Sequence, residues 1–226
     1  MLRNILLVIS AVLIPFIVIA AERTYKPKDN GRKIAIGLAI GLISVAMLRF
    51  FYNASLYEKA YTPAKELTFS YMSLLILFAL FAVFNKGKLG EISKKIFVGT
   101  ALISVIFPLF ANRIFLNPDD TYFVTTALYF VEVGLVTSLA TLFVYKEKSI
   151  FEPIDLLLPI AALIIYIGIA IGLNYVWKLE IAFDLNFYLG YGLSFVSIFL
   201  VFGITKLVEF VAHKNHVRRK GYKEVE

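Results

Sequence analysis

The sequence predicts an all-α fold: a polytopic membrane helix bundle of seven transmembrane helices, with the N-terminus outside and the C-terminus cytoplasmic. Three observations predict it. The 226 residues are 60% hydrophobic, with a mean hydropathy of +0.80, whereas a soluble domain is usually about 45 to 50% apolar. The apolar residues gather in blocks of roughly 17 to 25, the length that crosses about 30 Å of hydrocarbon at 1.5 Å per residue. Lysine and arginine alternate in density from one connection to the next.

The spans follow in order. The first covers residues 4–21. Arg3 before an apolar run ending IVIAA also matches a cleaved signal peptide, but the length of the run and Pro15 within it favour a retained span. The second covers 34–52, the third 67–84, the fourth 96–116, the fifth 121–145, the sixth 156–177 and the seventh 187–212. Residues 1–212 make one seven-helix domain and 213–226 a basic cytoplasmic tail, because no connection is long enough to fold alone. KPKDNG, NKGKLG, NPDD and FEP supply the turn residues between spans. NPDD, the tightest, makes spans four and five an antiparallel pair.

Orientation follows from charge, since positively charged short loops stay cytoplasmic. The connections after spans one, three and five, together with the C-terminal end, carry 17 Lys and Arg; the opposite side carries five, with Arg49 left inside span two. The same split accounts for the net charge of +7 without a nucleic-acid partner. The tail HKNHVRRKGYKEVE is placed to touch anionic lipid.

With no cysteine, disulfides, thiolate metal sites and thiol nucleophiles are excluded. His213 and His216 stand three apart in the tail without a third ligand nearby, so no metal site is expected. Neither lies in a span, so no Ser-His-Asp arrangement is available there. Lys206 is too close to the cytoplasmic end for a retinal lysine.

Aromatic residues collect at the outer boundary, among them Phe51, Tyr52, Tyr175, Trp177 and Tyr188, as in an interfacial belt. GLAIG (37–41) and GIAIG (168–172) place glycines four apart, which suits close helix packing inside the bundle. The shift of 131 residues that superimposes them lays span one over a loop, so no internal repeat is inferred. Pro15, Pro108 and Pro159 are expected to interrupt three helices. Asn112, Asn174 and Asn186 gather near the outer leaflet and, with Asp119, Asp120, Glu180 and Asp184, read chiefly as capping and loop residues.

Glu132 is the exception, a carboxylic acid in the stretch ALYFVEVGLV. A charged group near mid-membrane costs roughly 2.5 to 3.5 kcal/mol on insertion scales, so Glu132 must face the bundle. At 100° per residue Thr121, Thr125, Tyr129 and Glu132 share an arc of about 80°, a polar stripe with Gly134 opposite. Two states satisfy the acid. It is neutral and hydrogen-bonded to a Tyr or Ser, the favoured expectation, or it pairs with Arg113 or Arg49, either of which could instead snorkel outward.

The order LTFSYMSLLILFALFAVF, a span with VIFP, TYFVTTALYFVEVGLV and LNYVWKLEIAFDLNFYL resembles the YwaF-type integral membrane family. It is similar also to the animal transmembrane acyltransferases related to that family. The likeness spans residues 34–205, with Pro108, Asn174 and Asn186 as anchors. It implies a His and a Cys near residues 67–74 and a His in span five, where this chain has Ser70, Met72 and Glu132. Thiol acyl transfer is thereby excluded, and Glu132 takes the place of a polar group that the family keeps facing its cavity.

The expected function is binding or transport of a small molecule, ion or lipid through an outward-opening pocket reaching Glu132. Its candidate ligand-binding residues are Glu132, Tyr129, Thr125, Arg113, Arg49, Asn174 and Ser70. The expected location is the plasma membrane of a bacterium, with membrane lipids, a small molecule or ion, or a membrane protein as partners. No catalytic pair and no cofactor can be named. The alternative is a structural or accessory subunit of a membrane complex.

Overall fold

A computed structural model describes residues 2–24, 30–57, 71–110, 123–146, 151–177 and 185–223. The described chain is all-helical: α1 (Leu2–Thr24), α2 (Asn30–Tyr57), α3 (Tyr71–Phe84), α4 (Lys88–Thr100), α5 (Ile103–Phe110), α6 (Phe123–Lys146), a 3-10 turn (Pro153–Leu156), α7 (Leu157–Trp177) and α8 (Leu185–Lys223). Five of them, α1, α2, α6, α7 and α8, are long and apolar enough to cross a membrane. That count and composition are compatible with a multi-pass membrane protein.

The other two predicted spans differ from expectation for local reasons. The third is described only from Tyr71, which leaves 14 residues of helix. The fourth begins earlier than residue 96, at Lys88, and is divided at Ala101–Leu102 into α4 and α5. There the Ala101 N–H donates to the Val98 carbonyl, three residues back, and Ser104 Oγ donates to the Ala101 carbonyl. The shorter-range bonds tighten the helix at its break.

The α6 helix is the hub. Over Thr126–Lys146, 56% of its residues are buried, against 11% over Ile5–Glu22 of α1, and α6 packs against α1, α2, α3, α4 and α5. The register fixes relative directions. Ile14 of α1 meets Gly134 and Glu22 pairs with Lys146, so α1 and α6 run parallel. Gly31, Gly41 and Arg49 of α2 meet Lys146, Leu135 and Glu132, so α2 is antiparallel to α6. Lys94 lies over the Phe143 ring and Ser104 meets Tyr129, which makes α4 and α5 antiparallel to α6 as well. The NPDD connection itself lies outside the described residues.

Gly134 lets α1 approach closely: a Cβ there would sit 2.2 Å from Ile14 Cδ1. The α3–α4 turn relies on Gly90, whose Cβ would lie 1.9 Å from the Asn85 carbonyl oxygen, a backbone atom that cannot step aside. At the start of α7 the Asp155 carboxylate accepts the Glu152 N–H at 2.8 Å and a Lys95 proton at 2.7 Å. One side chain thus closes the turn and ties α7 to α4.

Two expectations are corrected here. The glycines of GLAIG and GIAIG do not pack inside the bundle: a Cβ on Gly37, Gly168 or Gly172 would meet no atom within 4 Å, and Gly41 only touches Leu135. The helix rotation turns Ala39 of α2 and Leu163 and Ala170 of α7 into the core, which leaves Gly37, Gly168 and Gly172 facing out. Pro159 does not interrupt a helix either. It is the third residue of α7, in the first turn, where a missing N–H costs nothing. Pro15 does lie inside α1.

The outward faces carry bulky apolar side chains, among them Phe16, Phe51, Ile165, Tyr175 and Phe199. Contiguous apolar surface on this scale suits hydrocarbon better than water. The α8 helix runs on as one element to Lys223, 39 residues or about 58 Å, so the basic tail is in large part a continuation of the last span.

Candidate functional site

The polar centre of the molecule is built on two adjacent antiparallel helices. Arg49 lies eight residues from the Tyr57 end of α2 and Glu132 nine from the Phe123 end of α6. At 1.5 Å per residue both stand about 12 to 14 Å from neighbouring helix ends, so the two side chains meet at one level. Arg49 Nε donates to Glu132 Oε1 at 2.7 Å, with the carboxylate side chain 0% and the arginine 11% exposed. Of the two states expected to satisfy Glu132, the structure has the one that pairs it with Arg49. Arg49 does not snorkel, because the α2–α6 register points it at the acid, and a buried carboxylate is best satisfied by a charge-assisted donor.

Tyr129, one turn before Glu132, is also buried, and its ring lies 5.7 Å from the Arg49 guanidinium carbon. Its hydroxyl donates not to Glu132 but to the Ser104 carbonyl of α5 at 3.0 Å. The reason is legible in the chain. In a helix that carbonyl would accept from the N–H of residue 108, and Pro108 has none. The proline frees an acceptor, and Tyr129 takes it.

Three further tyrosines enter the centre from three other helices. Tyr71 of α3 and Tyr166 of α7 meet edge to face with ring centroids 5.0 Å apart, and Tyr166 lies within electrostatic reach of Tyr129, Tyr71 and Tyr191 of α8. All are buried. The Tyr166 hydroxyl has no hydrogen-bond partner among the described residues. Tyr71 approaches Thr100, but no hydrogen bond of good geometry forms, and Thr100 gives its own proton to the Ile96 carbonyl. Asn53, four residues after Arg49 and so on the same face of α2, is buried too.

Several other buried hydroxyls are satisfied within their own helices. Thr137, Ser138, Ser194, Ser197 and Thr205 all donate to carbonyls three or four residues back, so they place no polar demand on neighbours.

Of the seven sequence-predicted residues, the structure brings together Glu132, Tyr129 and Arg49. Thr125 lies in α6 and Asn174 in α7, with side chains outside the described set; Arg113 and Ser70 lie outside the described residues. Sequence reasoning missed Tyr71, Tyr166, Tyr191, Asn53 and Ser104. Tyr166, ten residues inside its apolar run, carried an available signal; Tyr71 and Tyr191 lie four residues from a predicted span end, where belt tyrosines also sit. No cluster of three His, Asp or Glu that could hold a metal occurs among the described residues. Chemically, the arrangement offers a paired cation and anion, each able to exchange its internal partner for a ligand group of opposite charge, with aromatic walls and a hydroxyl beside them.

No protein-family model, no curated protein and no solved structure matches this chain.

Proposed function

We propose that this chain is a seven-span plasma membrane protein, N-terminus outside, that binds or moves a small molecule, ion or lipid at the Arg49–Glu132 site. The observation that carries the reading is the ion pair, 0% and 11% exposed, within two apolar helices. Taking two charges out of water and pairing them is seldom worth more than an apolar pair of the same size. Ionisable groups inside membranes mark ligand or ion pathways. Tyr129, Tyr71, Tyr166 and Asn53 would contribute the walls, and the path would open toward the Tyr57 and Phe123 ends of α2 and α6. In that reading the closed state is the one in which Arg49 and Glu132 hold each other.

The parallel α1 and α6, with α2 and α4–α5 antiparallel to them, agree with seven alternating spans. The similarity to the YwaF-type family belongs to the same proposal: Glu132 would occupy the cavity-facing position of that family in a member that binds rather than reacts.

The test is native mass spectrometry of protein gently extracted from its own membrane. A bound species present on the wild type and absent from Glu132→Gln supports the site. A folded Glu132→Gln variant with the same bound species sinks it. A second reading, an accessory subunit, is favoured by the open face at Gly168 and Gly172. It predicts a stoichiometric protein companion in the same spectra, lost when Gly168 is replaced by Leu.

A further inference from the structure

At the opposite end of α6 from Glu132, a cavity of about 320 Å³ opens between α2, α3, α4 and α6. This is within the size range of small-ligand sites, roughly 300 to 1,000 Å³. Its lining divides by burial. Arg32, Lys94 and Lys146 are exposed or half-exposed, whereas Ala35, Ala82 and Leu142 are buried. Cations therefore form the rim and hydrocarbon the floor. Lys94 is held over the Phe143 ring at 5.5 Å, and Lys146 pairs with Glu22. Gly31 makes room for the Lys146 arm, since a Cβ there would lie 2.6 Å from Lys146 Cε. Among the described residues the rim brings Arg32, Lys94 and Lys146 together with the Glu22 carboxylate, so cationic groups predominate there.

We propose that this cavity binds the phosphate-bearing headgroup of an anionic phospholipid. Phosphate oxygens find donors at the rim: the Arg32 fork, the two ammonium groups and the first turn of α2, where backbone N–H groups lack helical partners. A free phosphate would engage the rim alone and leave the apolar part of the cavity, lined by Ala35, Ala82, Val83 and Leu142, without an occupant. The glycerol and first acyl carbons of a lipid cover them. A zwitterionic lipid would carry its own ammonium into a rim of like charge. Basic pockets between transmembrane helices on the cytoplasmic side recognise anionic headgroups for the same reasons. The inference rests on the membrane-spanning reading of the chain but not on the Arg49–Glu132 site.

The experiment uses the full-length chain, delipidated in mild detergent and titrated separately with phosphatidylglycerol, phosphatidylcholine and inorganic phosphate under native mass spectrometry. One phosphatidylglycerol per chain is expected, bound about tenfold or more tighter than phosphatidylcholine. Arg32→Gln with Lys94→Gln removes about thirtyfold of that affinity and leaves phosphatidylcholine binding unchanged. Equal affinity for the two lipids, or wild-type affinity in a folded double variant, overturns the proposal. So does inorganic phosphate that displaces the lipid at comparable concentration, which would assign the rim to a soluble phosphate. Where the double variant fails to fold, Ala82→Leu fills the cavity and keeps every charge, and wild-type binding by it is equally fatal. Failure of the membrane reading shows separately, as release of the chain from vesicles by alkaline carbonate.

Discussion

The middle of α6 and its C-terminal end handle charge by opposite rules. Glu132 is wholly buried and accepts a hydrogen bond from Arg49 at 2.7 Å, beside Tyr129 and the Ser104 carbonyl. Fourteen residues later, about 21 Å along the helix, Lys146 is 43% exposed and, among the described residues, shares its surroundings with Arg32, Lys94 and Glu22. Where water is excluded, an unmatched charge costs several kcal/mol, so a charge at the centre needs a partner of opposite sign. Where water reaches, like charges can gather at little cost and leave a net field. A closed, balanced centre and an open, unbalanced rim on one helix are therefore suited to different work.

The largest effect should come from breaking the balance at the centre. Arg49→Ala leaves Glu132 buried without its cation and should cost about 3 to 5 kcal/mol, read as a lower unfolding midpoint in detergent. Arg49→Met with Glu132→Leu removes both charges and should restore most of that stability. If the double variant stays as unstable as the single, the pair is structural and the reading of it as a site weakens.

Next in size is Gly134→Ala, on the same stretch of α6 but at an apolar contact. Its Cβ drives Ile14 Cδ1 aside, and overpacking of this kind costs about 1 to 3 kcal/mol. Ile14→Ala in the same chain should recover much of the loss, a compensation that no charge substitution would provide.

Smaller again is Tyr129→Phe, which deletes one hydroxyl-to-carbonyl bond worth about 0.6 kcal/mol in a membrane bundle. Pro108→Ala restores an N–H for the Ser104 carbonyl, so in that background Tyr129→Phe should cost nothing. A double-mutant cycle checks it; an undiminished cost would mean that the proline does not free the acceptor.

The smallest stability change belongs to the rim. Lys94→Gln should shift the unfolding free energy by no more than about 0.5 kcal/mol in the absence of added lipid, because a half-exposed charge there is already screened. A drop as large as that of Arg49→Ala would erase the contrast between the two ends. The Cys-free chain also allows the direction of α6 to be read: Lys148→Cys should be labelled by an impermeant maleimide only after permeabilisation, and Asp119→Cys before it.

Much of this was legible in the order of residues. The long apolar blocks announced helices, because a backbone among hydrocarbon must satisfy its own hydrogen bonds. The loops NKGKLG and FEP carried the turn chemistry that Gly90 and Asp155 use. Glu132 had to face inward, since lipid cannot solvate it. These are consequences of local composition and period, which a linear chain displays directly.

What tertiary structure alone decided is which partners meet. Arg49 and Glu132 are 83 residues apart, and a rotation of α2 by one residue's 100° would have sent the guanidinium outward to snorkel. Tyr71, Tyr166 and Tyr191 look like ordinary apolar-span tyrosines until three helices turn them to one centre. The cavity between α2, α3, α4 and α6 is likewise a gap left where alanines face one another. Sequence sets what each helix can bury, but rotation and register between helices are chosen by close packing of all of them at once.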